Sequence, residues 1–285
     1  MLKYLFFTMW ALLFTLPARA EILFEAYYRI ESRGEPVGYV IQQLAEDRAN
    51  QTRSIRYYTL RKNDEGVERS GVESVTTLTG SAKSVKTWTR QDDLSAQATA
   101  AFADKKVTVR YLAPDFKKLL RDETLDTPKN AGISSFVLNA LAAKNAHWKG
   151  AQKYEAFVEE NMRFAEGEVF LRAEIAFEGV PVRQLEDNLL SERMELFSFA
   201  DGNILGSRSE DGTQVVYLVK DQKTATAEMP FMKQEVMDHF GGRIPDGRTH
   251  PLIEKNLGGL RDWLKLQPSA IPRRPGSVSM IGGGQ

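Results

Sequence analysis

The sequence predicts an α+β protein dominated by a large, curved antiparallel β-sheet, built from two meanders with helices packed on it. Three observations carry this expectation. Apolar residues alternate with polar ones at every second position through most of the chain. The alternating runs are separated by only a few Gly, Asn, Asp or Pro residues, which leaves no room for crossover helices. The apolar spacing lengthens to a helical period in two places only, residues 113–145 and 231–266.

Residues 1–20 stand apart from the first alternating run. Lys3, the apolar stretch Tyr4 to Leu16 and the small-x-small triplet Ala18-Arg19-Ala20 have the form of a signal peptide cleaved between Ala20 and Glu21. The apolar stretch falls short of the roughly 20 residues that cross a bilayer, so no transmembrane span is expected in the mature chain. A periplasmic or secreted product is therefore expected. The chain has no cysteine, which excludes a disulfide framework, a thiolate nucleophile, a Cys-bearing metal site and a lipidated N-terminal Cys. Export without cysteine points to a bacterial periplasm. The formal net charge is zero over the whole chain and slightly negative without Lys3 and Arg19, so no field attracts nucleic acid or an anionic membrane.

The first strand series covers residues 21–112. Phe24, Ala26, Tyr28 and Ile30 fall on one face of the opening strand, which is expected to face a core, with Glu25, Tyr27, Arg29 and Glu31 on the other. Gly34-Glu35-Pro36 turns the chain, and Val37 to Ile41 returns, with Gly38 marking a bulge or a close backbone approach. Strands follow at Ser54–Arg61, Val72–Thr79, Ser84–Arg90, Gln97–Ala103 and Lys106–Leu112. Phe116, Leu119 and Leu120 then sit at i, i+3, i+4, and Ser134 is placed to cap a helix running to Lys144; together they define a helical insert over 113–145.

A second strand series covers 153–228, at Tyr154–Glu159, Glu168–Phe177, Pro181–Glu186, Met194–Phe199, Ile204–Arg208 and Thr213–Lys220, with Asp201-Gly202 and Asp211-Gly212 as hairpin turns. Gly179-Val180-Pro181-Val182 echoes Gly34-Glu35-Pro36-Val37. Helices are expected at Phe231–Phe240, stopped by Gly241-Gly242, and along Ile253, Leu257, Leu260 and Leu264. Residues 21–266 thus form the β-rich domain. Residues 267–285, rich in Pro, Gly and Ser, are expected to be a disordered tail.

Catalytic signatures are absent: there is no G-x-S-x-G, H-E-x-x-H, P-loop, G-x-G-x-x-G or Ser-x-x-Lys. His147, His239 and His250 share no metal-ligand spacing, and His239 near a helix end suits a surface or capping role. Three acidic pairs, Asp92-Asp93, Glu159-Glu160 and Glu186-Asp187, read as solvated strand edges. No catalytic residue, metal or cofactor is assigned. The tyrosines and tryptophan of the first series are the candidate binding residues: Tyr28, Tyr39, Tyr58 and Trp88, set to line a groove for a lipid, an envelope component or a protein segment. Strand aromatics also serve cores and cross-strand pairs.

Gly34, Val37, Gly38 and Tyr39 after an alternating strand, followed by a meander, a helix and a second meander with the Asp201-Gly202 hairpin, give a pattern over residues 21–225. It resembles exported bacterial β-rich domains, some found upstream of transglutaminase-like peptidase domains. The resemblance implies an architecture and an exported location. A Cys-His-Asp centre of the transglutaminase type is excluded by the absence of cysteine. A looser similarity is to periplasmic lipoprotein carriers, whose curved sheet wraps helices and holds acyl chains; fold does not fix function. The sequence thus leads to a non-enzymatic periplasmic binding or scaffold protein whose partner is a lipid, an envelope component or an envelope protein. The alternative is a cell-envelope hydrolase with a dispersed acid/base site.

Overall fold

The computed structural model describes residues 20–92, 94–113, 118–143, 150–189, 193–247 and 257–268. The expected signal segment, except Ala20, and the tail beyond Pro268 lie outside these residues, as do His147 and His250. The fold is mostly β. In chain order the strands are β1 (Glu21–Ser32), β2 (Glu35–Asp47), β3 (Thr52–Asn63), β4 (Gly66–Thr77), β5 (Ala82–Gln91), β6 (Leu94–Ala103), β7 (Lys106–Leu112), β8 (Leu119–Asp126), β9 (Gly132–Ile133), β10 (Ala151–Val158), β11 (Arg163–Phe177), β12 (Val180–Asp187), β13 (Met194–Phe199), β14 (Ile204–Ser209) and β15 (Gln214–Val219). The helices are α1 (Ser134–Ala143), α2 (Gln222–Ala225), α3 (Lys233–His239) and α4 (Leu260–Leu266), with a 3-10 turn at Leu257–Gly259.

All strands join one open sheet ordered β8-β7-β6-β5-β4-β3-β2-β1-β15-β14-β13-β12-β11-β10-β9. Pairing is antiparallel except between β9 and β10. Antiparallel pairing of β1 with β15 joins the two strand series into this one sheet, with Tyr27 opposite Val219 and Ile30 opposite Val216. β1 is therefore central, and both its faces are covered: Glu25, Tyr27 and Glu31 are as buried as Phe24, Tyr28 and Ile30. The expectation of a single core face on this strand fails because helices from the C-terminal part of the chain lie over the other one. Gly38 has both features expected of it. The β1–β2 register shifts beside it, between Ile30 and Glu31, and a Cβ at Gly38 would collide with the Leu60 carbonyl.

Register divides the first eight strands into two faces. Tyr27, Ile41, Tyr58, Gly71 and Trp88 form one row across β1–β5, the face that α3 covers. The next row, Ala26, Gln42, Tyr57, Val72, Thr87 and Ala98, faces the opposite way. On that inner face Val85, Ala98, Ala100, Val107 and Val109 form a core with Ile133, Phe157 and Met162 from the far end of the sheet. Phe157 packs edge-on against Phe102 with centroids 5.1 Å apart. The two ends of the sheet thus meet face to face, with the β10–β11 hairpin tip inserted against β5–β7.

The helical insert is shorter than expected. Among its described residues only Ser134–Ala143 is helical, while Leu119–Asp126 is strand β8 on the edge of β7. Leu119 and Leu120 are exposed, so there is no apolar face to bury. The segment instead gains cross-strand pairs, Arg110 opposite Asp122 and Val107 opposite Leu125. Asp221 caps α2 by accepting from the Thr224 amide at 2.8 Å, which turns residues 222–225 out of the sheet. α3 ends as expected at Gly241 and Gly242, both with positive φ; the Gly242 amide donates to the Met237 carbonyl at 2.8 Å.

Candidate functional site

The site forms where α3 crosses β3–β5. Gly71 in β4 is the opening feature: the Trp88 indole lies flat across it, and a Cβ there would stand 2.7 Å from Cζ2. The indole then meets Tyr58 at 5.9 Å between centroids, and Tyr58 stacks on Tyr39 at 6.2 Å. Onto this aromatic strip α3 lowers Val236, His239 and Phe240. Trp88 Nε1 donates to His239 Nδ1 at 3.3 Å. That bond makes Nδ1 the acceptor and puts the imidazole proton on Nε2. Nε2 is buried without a hydrogen-bond partner. Burial depresses the imidazole to about 4, outweighing the nearby Glu73 carboxylate, which favours the charged form.

Glu235, one turn earlier on α3, fastens the helix to the sheet. Its carboxylate accepts from Tyr58 Oη at 2.8 Å and from Arg90 at 2.7 Å, and Arg69 lies at 3.6 Å. Burial, with Tyr39 and Glu235 close by, raises the Tyr58 phenol far above its ordinary range. Tyr39 donates to the Pro230 carbonyl at 3.2 Å and is pushed up to about 12, chiefly by burial.

Beside this junction a cavity of about 240 Å³ is lined by Glu73, Lys86, Trp88, Arg90, Gln97 and Asp238, with Glu235 and His239 at its back. The Arg90 guanidinium lies 5.3 Å from the indole centroid. Glu73 accepts from Arg56 at 2.7 Å, and Asp238 accepts from Gln234 at 2.8 Å. A general base needs a lone pair aimed at substrate. Here one imidazole nitrogen is taken by Trp88 and the other is buried, while Glu73 and Asp238 each accept on one oxygen and keep the other free of a protein donor among the described residues. The cavity presents an aromatic face ringed by both signs of charge and one amide.

Three of the four expected binding residues, Tyr39, Tyr58 and Trp88, share this face and touch in sequence. Tyr28 does not join them. It lies on the opposite face, where its hydroxyl donates to the Ile204 carbonyl at 2.8 Å. Tyr39 and Tyr58 are fully buried, so the aromatic groove expected from sequence is filled by the chain's own α3, and only Trp88 borders the cavity. The sequence suited His239 to a surface or capping role and did not single out Glu235, Asp238, Glu73 or Arg90. The available signal was the helical spacing of Glu235, Asp238 and His239, which puts them on one side of α3.

Two acidic pairs expected at solvated edges are buried in part. Glu159 is 3% exposed and accepts from Ser74 Oγ at 3.1 Å and from the hydroxyls of Ser134 and Ser135 at the start of α1. It serves as an internal cap, favoured by the positive end of that helix. Glu186 pairs with Arg172 and Arg193, and Asp187 accepts from Tyr154 Oη at 2.7 Å. Burial raises the Asp187 carboxyl, although Tyr154 and nearby backbone amides oppose the rise. Among the described residues no cluster of His, Asp and Glu is arranged to hold a metal ion, and no helix is long and apolar enough to cross a membrane. No protein-family model matches the chain, and no curated protein matches it.

Proposed function

We propose that the protein is a non-enzymatic binding or scaffold protein of the bacterial periplasm, delivered by cleavage after Ala20, and that the Trp88 cavity holds a small polar component of the cell envelope. The observation that carries the reading is the division of labour at α3. The His239 imidazole is turned onto Trp88 with its other nitrogen buried, while the indole and the charged rim border open space. An acyl chain is a poor fit, because α3 fills the apolar strip and the cavity left is about 240 Å³ with a polar rim. A sugar ring fits better. Its C–H face stacks on an indole, and Lys86, Arg90, Gln97, Glu73 and Asp238 offer partners for hydroxyl, amide and carboxylate substituents.

The test is calorimetric titration of the purified mature chain with N-acetylglucosamine oligomers and muramyl peptides. Saturable binding that Trp88→Ala weakens about tenfold or more, with the melting temperature kept within a few degrees, supports the reading. Absence of binding by both probe classes removes it. The second reading, an envelope hydrolase, draws on a histidine and three carboxylates sharing one cavity wall. Product analysis after long incubation with the same glycans separates the two, since hydrolysis lost in His239→Gln favours the enzyme. N-terminal sequencing of the exported protein checks the cleavage site.

A further inference from the structure

β10 is paired with β11 along its whole length, but β9 covers its other side only at Ala156 and Phe157. Residues 151–155 therefore present a strand edge with no paired strand among the described residues. In an antiparallel pair alternate residues send both N–H and C=O away from the partner strand, so this edge carries open hydrogen-bonding groups. It borders a cavity of about 870 Å³, within the size range of binding sites. Val137 and Leu141 of α1 form one wall. Tyr154 lies beside them, flat across Gly167, where a Cβ would stand 2.6 Å from Cζ; its hydroxyl is turned inward to Asp187.

On the opposite side of the strand two acids face each other, although Lys129 and Arg193 also line the cavity, Arg193 being paired with Glu186 and Glu210. Glu155 stands directly across from Glu166, and neither has a hydrogen bond or ion pair to a cation among the described residues. The flanking pair, Lys153 and Glu168, makes an ion pair at 3.5 Å. Like charges opposed across a ladder destabilise it, and a basic side chain on an adjoining strand would relieve them. Successive side chains of an added strand point to opposite sides. One set would meet Val137, Leu141 and Tyr154, and the other Glu155 and Glu166.

We infer that the free edge of β10 binds an extended segment of another protein by strand addition, and that the segment alternates apolar with basic residues. The site lies on β10–β11 and does not depend on what the Trp88 cavity holds. The probe is a fluorescein-labelled heptapeptide of alternating Val and Lys, titrated into the full mature chain by anisotropy. A second peptide of identical sequence has alternate backbone nitrogens methylated, which removes ladder hydrogen bonds and keeps the side chains. The expected result is saturable binding of the first peptide, at least about tenfold weaker binding of the methylated one, and a comparable loss in Glu155→Lys/Glu166→Lys. Hydrogen exchange of the full chain without peptide should show fast outward amides in residues 151–155, slowed when peptide is added. Equal affinity for the two peptides, no binding at all, or full protection of those amides before any peptide is added would each overturn the inference. If the double variant misfolds, the methylated peptide on the unaltered protein still decides.

Discussion

Burial keeps the His239 imidazole neutral in the fold, where Trp88 donates to its Nδ1. In the unfolded chain it titrates near 6.5, in the folded chain near 4. Between these values the unfolded state binds a proton that the folded state does not, so stability is complete above about pH 6.5 and falls as pH drops toward 4. The expected share is on the order of 2 kcal/mol by pH 4.5. Urea denaturation at pH 7 and pH 4.5 should show that loss in the natural protein and a smaller one in His239→Gln. Glu31 adds a separate loss lower down. Burial pushes its carboxyl up, but hydrogen bonds from Arg261 and Tyr217 outweigh burial and leave it below its usual 4.5, so this loss persists in the variant. Gly71 gives a second test at the same scale. Gly71→Ala must tilt the indole, which costs about 1–3 kcal/mol. Gly38→Ala should cost more, because its obstacle is the Leu60 backbone, which cannot turn aside. Urea midpoints of the two variants rank them directly.

At the scale of elements, α3 is seven residues long, too short to be helical alone. It holds because Val236 and Phe240 are buried against the sheet and Glu235 gathers Tyr58, Arg90 and Arg69. Glu235→Gln leaves two arginines facing a neutral amide and should destabilise the protein by about 1–3 kcal/mol. Hydrogen exchange should find residues 233–239 opening well before the strands. The strands were the legible part of the sequence: Lys106–Leu112 and Met194–Phe199 have the expected bounds, because alternation and turn residues are local signals. Leu119–Asp126 misled because Phe116, Leu119 and Leu120 repeat at a helical interval, whereas what fixes that segment is the edge of β7, supplied by the fold. The two-residue β9 is too short for any periodicity to reveal. For the site, aromatic residues in strands were visible, but their neighbour His239 stands 151 positions from Trp88, and no local pattern reports such a meeting.

Across the whole molecule, the open sheet is joined at its centre by its first and last strands in chain order, β1 and β15. Ser32 faces Gln214 at the end of this pairing. The chain has no cysteine, so Ser32→Cys/Gln214→Cys introduces a single defined cross-link across a long loop. Its oxidation should raise stability by up to about 4 kcal/mol. The check is the difference in urea midpoint between oxidised and reduced protein. Most sheet neighbours are adjacent in sequence, yet the central pair joins residues nearly two hundred positions apart. Refolding should accordingly be slow, in the millisecond to second range or longer, with closure of β1 against β15 among the late events.

During synthesis the same pairing imposes a wait. Tyr27 leaves the ribosome long before its partner Val219; at ordinary elongation rates the interval is roughly ten to forty seconds. Through that time the β1–β2 hairpin can form while the far side of β1, an edge carrying Tyr27, Tyr28 and Ile30, has nothing to pair with. Two nascent copies on one message would offer each other matching edges, so the newborn chain has to be chaperoned or kept extended until residue 219 arrives.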